Sequence, residues 1–182
     1  IKCNDMGFTA TFPSAASLIT VFNTVKQFVS DAIVYHDDAG LKVSVMDSSH
    51  VCLIESYFTK EYLTEYQCSR SGIIGIHAAS LLTMLKFAER DATVAFILDT
   101  KDNHIIIRAG ENEFNLGLID IEADALEVPE PKFEGVVVNA QKLSSDMKNL
   151  SLIGDTVDLT VEADCIVCKT SGDIGSASLK LP

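Results

Sequence analysis

The sequence predicts an α+β fold made by reusing one strand–helix–three-strand unit, and three observations carry that prediction. Apolar residues at helical spacing recur as Leu18/Phe22/Val25, Leu81/Leu85/Ala88 and Leu143/Met147/Leu150. The recurrence is regular, with 63 positions from Leu18 to Leu81 and 62 from Leu81 to Leu143. The first two copies also share their opening, Ala15-Ala16-Ser17-Leu18 against Ala78-Ala79-Ser80-Leu81. A repeat of this length is one supersecondary unit used again, so the fold must be built by stacking copies.

In the first copy, Phe8 to Phe12 alternates as a strand and Pro13-Ser14 marks a helix start. The helix is expected over Ser14 to Ser30, with Leu18, Ile19, Phe22, Val25 and Val29 on its apolar face. Strands Ala32 to Tyr35 and Leu41 to Val45 flank Asp37-Asp38-Ala39-Gly40, a hairpin turn, and His50 to Ile54 is expected as the third strand. In the second copy the helix is expected over Ala78 to Ala88, the run Thr93 to Leu98 reads as a buried strand, and Asp99 to Asn103 is the hairpin turn. The third copy has its helix over Ala140 to Leu150, a turn at Glu162-Ala163-Asp164 and a last strand near Ser176 to Leu181.

One helix covers only one face of its own sheet, so two copies side by side are expected to give a sheet on one surface and a helix pair on the other. The domain division that follows is residues 1–118 as a two-repeat domain and 119–132 as a connector. Residues 133–182 then form a second domain holding one repeat. The stretch from Asp120 to Pro131 carries five acids, no base and two prolines, which suits an extended linker and rules out a central strand. With one repeat after the connector, the second domain is expected to be incomplete in this sequence.

Net charge is −12, which taken alone argues against a nucleic-acid partner. Its distribution argues the other way. The first helix carries Lys26 and no acid, the second Lys86 and no acid, and the third Lys142 and Lys148 against Asp146. The helices therefore sum to +3 and the rest of the chain to −15. The plainer alternative is that short helices here simply have polar Ser, Thr and Asn faces. No apolar run approaches bilayer length, so no membrane partner is expected. Five cysteines scattered through strand patterns fit a reducing compartment better than a disulfide framework.

Chemistry-bearing clusters are sparse. Asp47-Ser48-Ser49-His50 holds the residue types of a hydrolase triad, yet neighbours in one extended or turning segment do not converge on one proton path. Cys165 and Cys168 have metal-ligand spacing, but within a strand they would face opposite sides, and no second ligand pair accompanies them. His36, His77 and His104 stand alone. There is no phosphate-cradling glycine loop. The expectation is a non-enzymatic protein without cofactor or metal.

Several local phrases carry a resemblance: Met46-Asp47-Ser48-Ser49-His50-Val51, Tyr66-Gln67-Cys68-Ser69-Arg70, Leu150-Ser151-Leu152-Ile153-Gly154-Asp155, Ser171-Gly172-Asp173-Ile174-Gly175 and Leu179-Lys180-Leu181. Together they resemble the proliferating cell nuclear antigen family, the sliding clamps of eukaryotic and archaeal-type DNA replication, from about Phe8 to Leu181. The match corresponds to roughly the first two thirds of a family subunit.

The resemblance implies a homotrimeric ring with sheets outside and helices lining a central hole through which double-stranded DNA passes. Such a ring is a polymerase processivity factor for replication and repair. Its partners would be DNA polymerase, the clamp loader and other proteins bearing the clamp-binding motif. Lys26, Lys86, Lys142 and Lys148 would then face DNA phosphates without reading bases. Met46, His50, Val51 and Leu53, with Leu126, Val128 and Pro129 from the connector, match the family's partner-docking pocket. Each apolar anchor buried there would contribute about 1.5–3 kcal/mol. Read without the family, Leu126 and Val128 pin the linker to its own domain.

Ring closure would pair the edge holding Glu113, Phe114, Leu116 and Leu118 with the edge holding Ser176, Ser178, Lys180 and Leu181 of the next subunit. The same fold also serves checkpoint-type clamps that assemble as hetero-oligomers, which is the alternative function. Departures from the family pattern are Ile19, Thr20, Thr83 and Ser145 where Lys or Arg is common, and Ala163 where the modified lysine of eukaryotic clamps aligns. Modification-driven polymerase switching would then be absent or relocated, with Lys169 as a candidate position, and Ile1 to Gly7 extends beyond the usual start. These point to a divergent source such as a large DNA virus or a protist, with action in the nucleus or at a viral replication site.

Overall fold

The computed structural model describes residues 6–99, 101–121 and 137–181. In chain order the elements are β1 (Met6–Phe12), α1 (Ala15–Val25), β2 (Asp31–His36), β3 (Gly40–Met46), β4 (Leu53–Thr59), β5 (Glu65–Cys68), β6 (Gly72–His77), α2 (Ala78–Leu85), β7 (Val94–Asp99), β8 (His104–Ala109), β9 (Asn112–Gly117), α3 (Ala140–Leu150), β10 (Asp158–Val161), β11 (Ile166–Gly172) and β12 (Gly175–Leu181). The chain divides into two units, residues 1–126 and 127–182.

Unit one contains two sheets, ordered β5-β1-β7-β8-β9 and β4-β3-β2-β6. This corrects the expected side-by-side arrangement of copies. The strand before each helix leaves its own repeat and pairs with the other: β1 runs antiparallel to β7 (Thr9 opposite Ile97), and β6 antiparallel to β2 (Val34 opposite Ile74). The physical reason is edge pairing. Each three-strand meander would present its first strand, β2 or β7, as an open edge, and the exchange satisfies both.

Alternate residues of both sheets and the apolar faces of α1 and α2 close one core, which includes Phe8, Phe12, Leu18, Phe22, Val43, Ile76, Leu81, Leu85, Ile105 and Ile107. Phe12 meets Phe96 of its own sheet and Phe58 of the other, ring centroids 5.0 Å apart in both cases. The run expected as a buried strand, now β7, alternates instead: Val94, Phe96 and Leu98 are buried while Ala95 and Ile97 are half-exposed. At the β2–β3 turn, Asp37 Oδ1 accepts the N–H of Ala39 (2.8 Å) and of Gly40 (3.2 Å). Gly40 sits at φ 145°, a backbone region open to glycine.

Two helices stop earlier than expected. After Val25 the chain turns, with Gln27 N–H donating to Thr24 O and Phe28 N–H to Val25 O. After Leu85 the same tightening occurs, Phe87 N–H to Met84 O and Ala88 N–H to Leu85 O. The third strand of the first meander starts at Leu53 rather than His50, because the backbone N–H groups of Val51 and Cys52 are taken by the Asp47 carboxylate. Unit two is α3 over the sheet β10-β11-β12, with Leu150, Cys168 and Leu181 clustered as its core and Val167 buried as well among the described residues.

Candidate nucleic-acid and partner interface

Reciprocal capping positions the helix pair of unit one. Ala15 and Ala16 N–H donate to the carbonyls of Ala92 (2.8 Å) and Arg90 (2.9 Å), in the loop after α2. Ala78 N–H donates to Ser30 O (2.9 Å), in the loop after α1. Each helix therefore begins where the other's following loop passes, and the two run antiparallel against each other. Ser14 occupies the N-cap position without a side-chain cap, because those N–H groups already have partners. At α2 the cap is His77, whose Nδ1 accepts Ser80 N–H at 3.3 Å.

All four lysines expected at DNA are exposed. Lys26 and Lys86 are the C-cap residues of α1 and α2 rather than mid-helix residues. A cation there also suits the helix dipole. Neither α1 nor α2 contains an acid. The threonines on these faces turn inward: Thr20 Oγ1 donates to Ala16 O, Thr24 Oγ1 to Thr20 O and Thr83 Oγ1 to Ala79 O. In α3, Lys142 Nζ is held 2.8 Å from Asp146, which leaves Lys148 as the helix cation without that neutralisation.

Met46 and Leu53 stand opposite each other as the last pair of the β3–β4 ladder, both half-buried. Between them the chain forms a loop organised by Asp47. Its Oδ1 accepts the N–H groups of Val51 (2.8 Å) and Cys52 (2.7 Å), and its Oδ2 that of Ser49 (3.2 Å). The backbone bonds to Cys52 and Val51 hold the carboxyl below the usual carboxylate range. His50 adopts φ 57°, and Val51 projects with 86% of its surface exposed. This side-chain clasp displaces the expected strand start to Leu53, since His50 to Cys52 are taken by the loop. Leu126, Val128 and Pro129 lie outside the described residues.

β9 ends the five-stranded sheet and β12 ends the three-stranded one. On β9, Glu113 pairs with Arg108 Nε at 2.7 Å. Phe114 is half-buried, its ring 5.5 Å from that of Phe87, which is 66% exposed. Leu116 is buried in its own core, and half-buried Leu118 donates its N–H to Asn103 O (3.0 Å). On β12, Ser176, Ser178 and Lys180 are exposed and Leu181 is buried in its own unit. Leu116 and Leu181 therefore serve as internal anchors, and any pairing along these edges uses backbone and the alternate side chains.

The proposed Cys165–Cys168 strand placement needs correction. Cys165 lies in the turn before β11, its Sγ 3.6 Å from Glu162 Oε2, and Cys168 is fully buried on β11. Burial, then the Glu162 charge, pushes the Cys165 thiol up. Of the isolated histidines, His36 is buried, His77 caps α2 and His104 lies 3.9 Å from Asp102. Two residues of this surface escaped sequence reasoning. Asp47 looked like a triad member and is the loop's organiser. Phe87 looked like helix and is an exposed ring at the β9 edge.

The repeated units, the exchanged strands and the helix pair together define the DNA-clamp fold. Residues 7–127 match the family described as proliferating cell nuclear antigen, N-terminal domain, and the chain belongs to that family. It is 30% identical over 181 residues to proliferating cell nuclear antigen 1 of Plasmodium falciparum (isolate K1 / Thailand), covering 94% of this chain and 66% of that protein. It is 28% identical over 177 residues to the probable DNA polymerase sliding clamp 2 of Paramecium bursaria Chlorella virus 1, covering 96% of this chain and 66% of that one. The chain thus spans just under two thirds of these relatives. Among solved structures, proliferating cellular nuclear antigen from Entamoeba histolytica matches with TM-score 0.86 at 24% identity, covering 97% of this chain and 74% of that one. That of Thermococcus kodakaraensis matches with TM-score 0.87 at 21% identity, covering 96% and 72%.

Proposed function

We propose that the protein to which this chain belongs is a DNA polymerase processivity factor, a sliding clamp that encircles duplex DNA. The observation that carries the reading is the helix pair of unit one. On a chain of net charge −12, α1 and α2 hold no acid, and each ends on an exposed lysine. Family membership supports a ring in which that pair would line a hole. Few cations and inward-turned threonine hydroxyls suit a ring kept on DNA by topology, because strong phosphate binding would hinder sliding.

Docking of polymerase, clamp loader and other motif-bearing proteins would use Met46, His50, Val51 and Leu53 with the connector residues Leu126, Val128 and Pro129. The pre-shaped Asp47 loop supports this, since an anchor surface that is already ordered loses less entropy on binding. Homotrimer closure through β9 and β12, the division into domains 1–118 and 133–182 with a connector over 119–132, and a role in repair and in the nucleus belong to the same proposal.

The test is primer extension with a processive polymerase and clamp loader on a primed circular template, using the full-length protein. Longer products are expected from wild type, and they should be lost when Met46→Asp is combined with Leu126→Asp. Light scattering should give a trimer mass. Stimulation that survives the double substitution overturns the docking surface, and a monomer at micromolar concentration overturns the homotrimer.

A further inference from the structure

At the seam between the two sheets of unit one, a thiol meets an imidazole. Cys68 closes β5 in one sheet and His36 closes β2 in the other. Cys68 Sγ lies 3.6 Å from His36 Nδ1 and 3.2 Å from the carbonyl of Arg70. The imidazole is fixed in place. It is 5% exposed, its centroid is 4.8 Å from that of Phe8, and it fills the space over Gly72, where a Cβ would lie 2.8 Å from Nε2. Burial lowers its pKa from the ordinary 6.5, so it stands as a neutral base at neutral pH. Cys68 itself is half-buried. A surface depression of about 290 Å³ is walled by His36, Arg70, Gly72, Asp99 and Asp102 among others, so it borders the imidazole and the Arg70 segment beside the thiol.

The other described cysteines lack this arrangement. Cys168 is fully buried. Cys165 faces the Glu162 carboxylate, which opposes a second negative charge. Cys52 sits in the Asp47 loop. Since thiolate is the reacting form, a base placed to take the proton as sulfur attacks is the feature that separates a reactive thiol from an inert one.

We propose that Cys68 is a thiol-modification site, activated by His36, that exchanges with low-molecular-weight disulfides such as oxidised glutathione. The Cys68 proton passes to His36 Nδ1 while Sγ attacks one sulfur of the disulfide. The Cys68–glutathione bond forms, the original S–S bond breaks, and the departing glutathione thiolate takes the proton back from His36. No further oxidant is required. The groups facing this pair are Tyr66 on the same strand, Asp37 in the β2–β3 turn, Arg70, and Asp99 and Asp102 in the depression wall. Tyr66 does not compete as a nucleophile: burial and then Cys68 push its phenol well up, and its hydroxyl donates to the carbonyls of Asp37 and Gly40. An adduct at Cys68 would crowd the contact that ties β5 to the end of β2.

The experiment treats the intact chain with oxidised glutathione near neutral pH and maps adducts by mass spectrometry. Cys68 is expected to react first, and His36→Gln should slow it on the order of tenfold or more while leaving Cys52 and Cys165 unchanged. Equal rates at the three cysteines, or no effect of His36→Gln on Cys68, overturns the proposal. If His36→Gln does not fold, the wild-type pH–rate profile decides. Cys68 should lose rate as a group below the ordinary histidine range becomes protonated, whereas a profile parallel to that of Cys52 refutes activation by His36.

Discussion

Unit one and unit two are made from the same repeat, and within this sequence two copies meet in unit one while one copy is seen in unit two. In unit one the exchange of β1 and β6 makes the first strand of each meander an interior strand. In unit two β10 stands at the sheet edge with all four residues exposed, Leu159 at 60% and Val161 at 62%. The two helices of unit one bury four residues each, while α3 buries Leu150 and leaves Leu143 and Met147 half-exposed. Among the described residues, the one repeat of unit two forms the same kinds of element while burying fewer side chains than the paired repeats of unit one. The repeat specifies elements, and the pairing of repeats supplies stability.

The sharpest way to break this comparison is Phe12→Ala. It removes a fully buried ring that bridges both sheets, at an expected cost of about 3–5 kcal/mol. Urea unfolding should show the loss in the unit-one transition, with the amides of β11 unaffected in hydrogen exchange. Leu150→Ala is expected to cost less, about 2 kcal/mol, because a sparse core relaxes around the deletion. It should strip protection from β11 and β12 while leaving β2 and β7 protected.

A pH scan sharpens the contrast further, since all four histidines lie in unit one and none in unit two. His36 has its pKa lowered by burial, so the unfolded chain takes up the proton more readily than the folded one. Unit one should hold its full stability above about pH 6.5 and lose it as the pH falls toward the lowered value. Unit two should stay flat until the carboxylates titrate, and His36→Gln should flatten unit one over the same window.

Smaller still is Asp47→Asn. Faster exchange at the Val51 and Cys52 amides is expected, with global unfolding unchanged. In wild type that loop should persist as pH falls below the ordinary carboxylate value of 3.8, because the folded-state pKa is lowered. Least of all, Lys142→Ala should cost under about 0.5 kcal/mol by thermal melt, since its pair with Asp146 is a half-exposed contact one turn apart.

Periodicity read the helices well where packing alone decides them. α3 matches its expected bounds, Ala140 to Leu150, and the apolar faces of α1 and α2 are those the spacing indicated. It overran the ends of α1 and α2 because Val29 and Ala88 pack on the core from turns, and burial carries no record of hydrogen-bond pattern. The exchange of β1 and β6 was illegible, because alternation shows that a strand has two faces and not which edge it meets. The same limit hid β5 as a separate strand. At the candidate site, family resemblance singled out Met46 and Leu53, which stand opposite each other at the end of the β3–β4 ladder. The Asp47 clasp was not legible, because a carboxylate that caps backbone N–H groups looks in sequence like one that does chemistry.

The strand exchange also has a consequence for the order in which the chain is made. β1 is made before the other described elements of unit one, and its partner β7 emerges only after α1, α2 and five other strands. Until then Phe8, Ala10 and Phe12 have an apolar face without the sheet neighbour they will take. The β2–β3–β4 hairpins are local and can form at once, so the newborn chain passes through a stage of finished hairpins beside a waiting strand. Loop-closure entropy makes that wait only modestly costly in free energy, yet it is long in time. The element that joins the two repeats is therefore also the one most open to capture by another chain during synthesis.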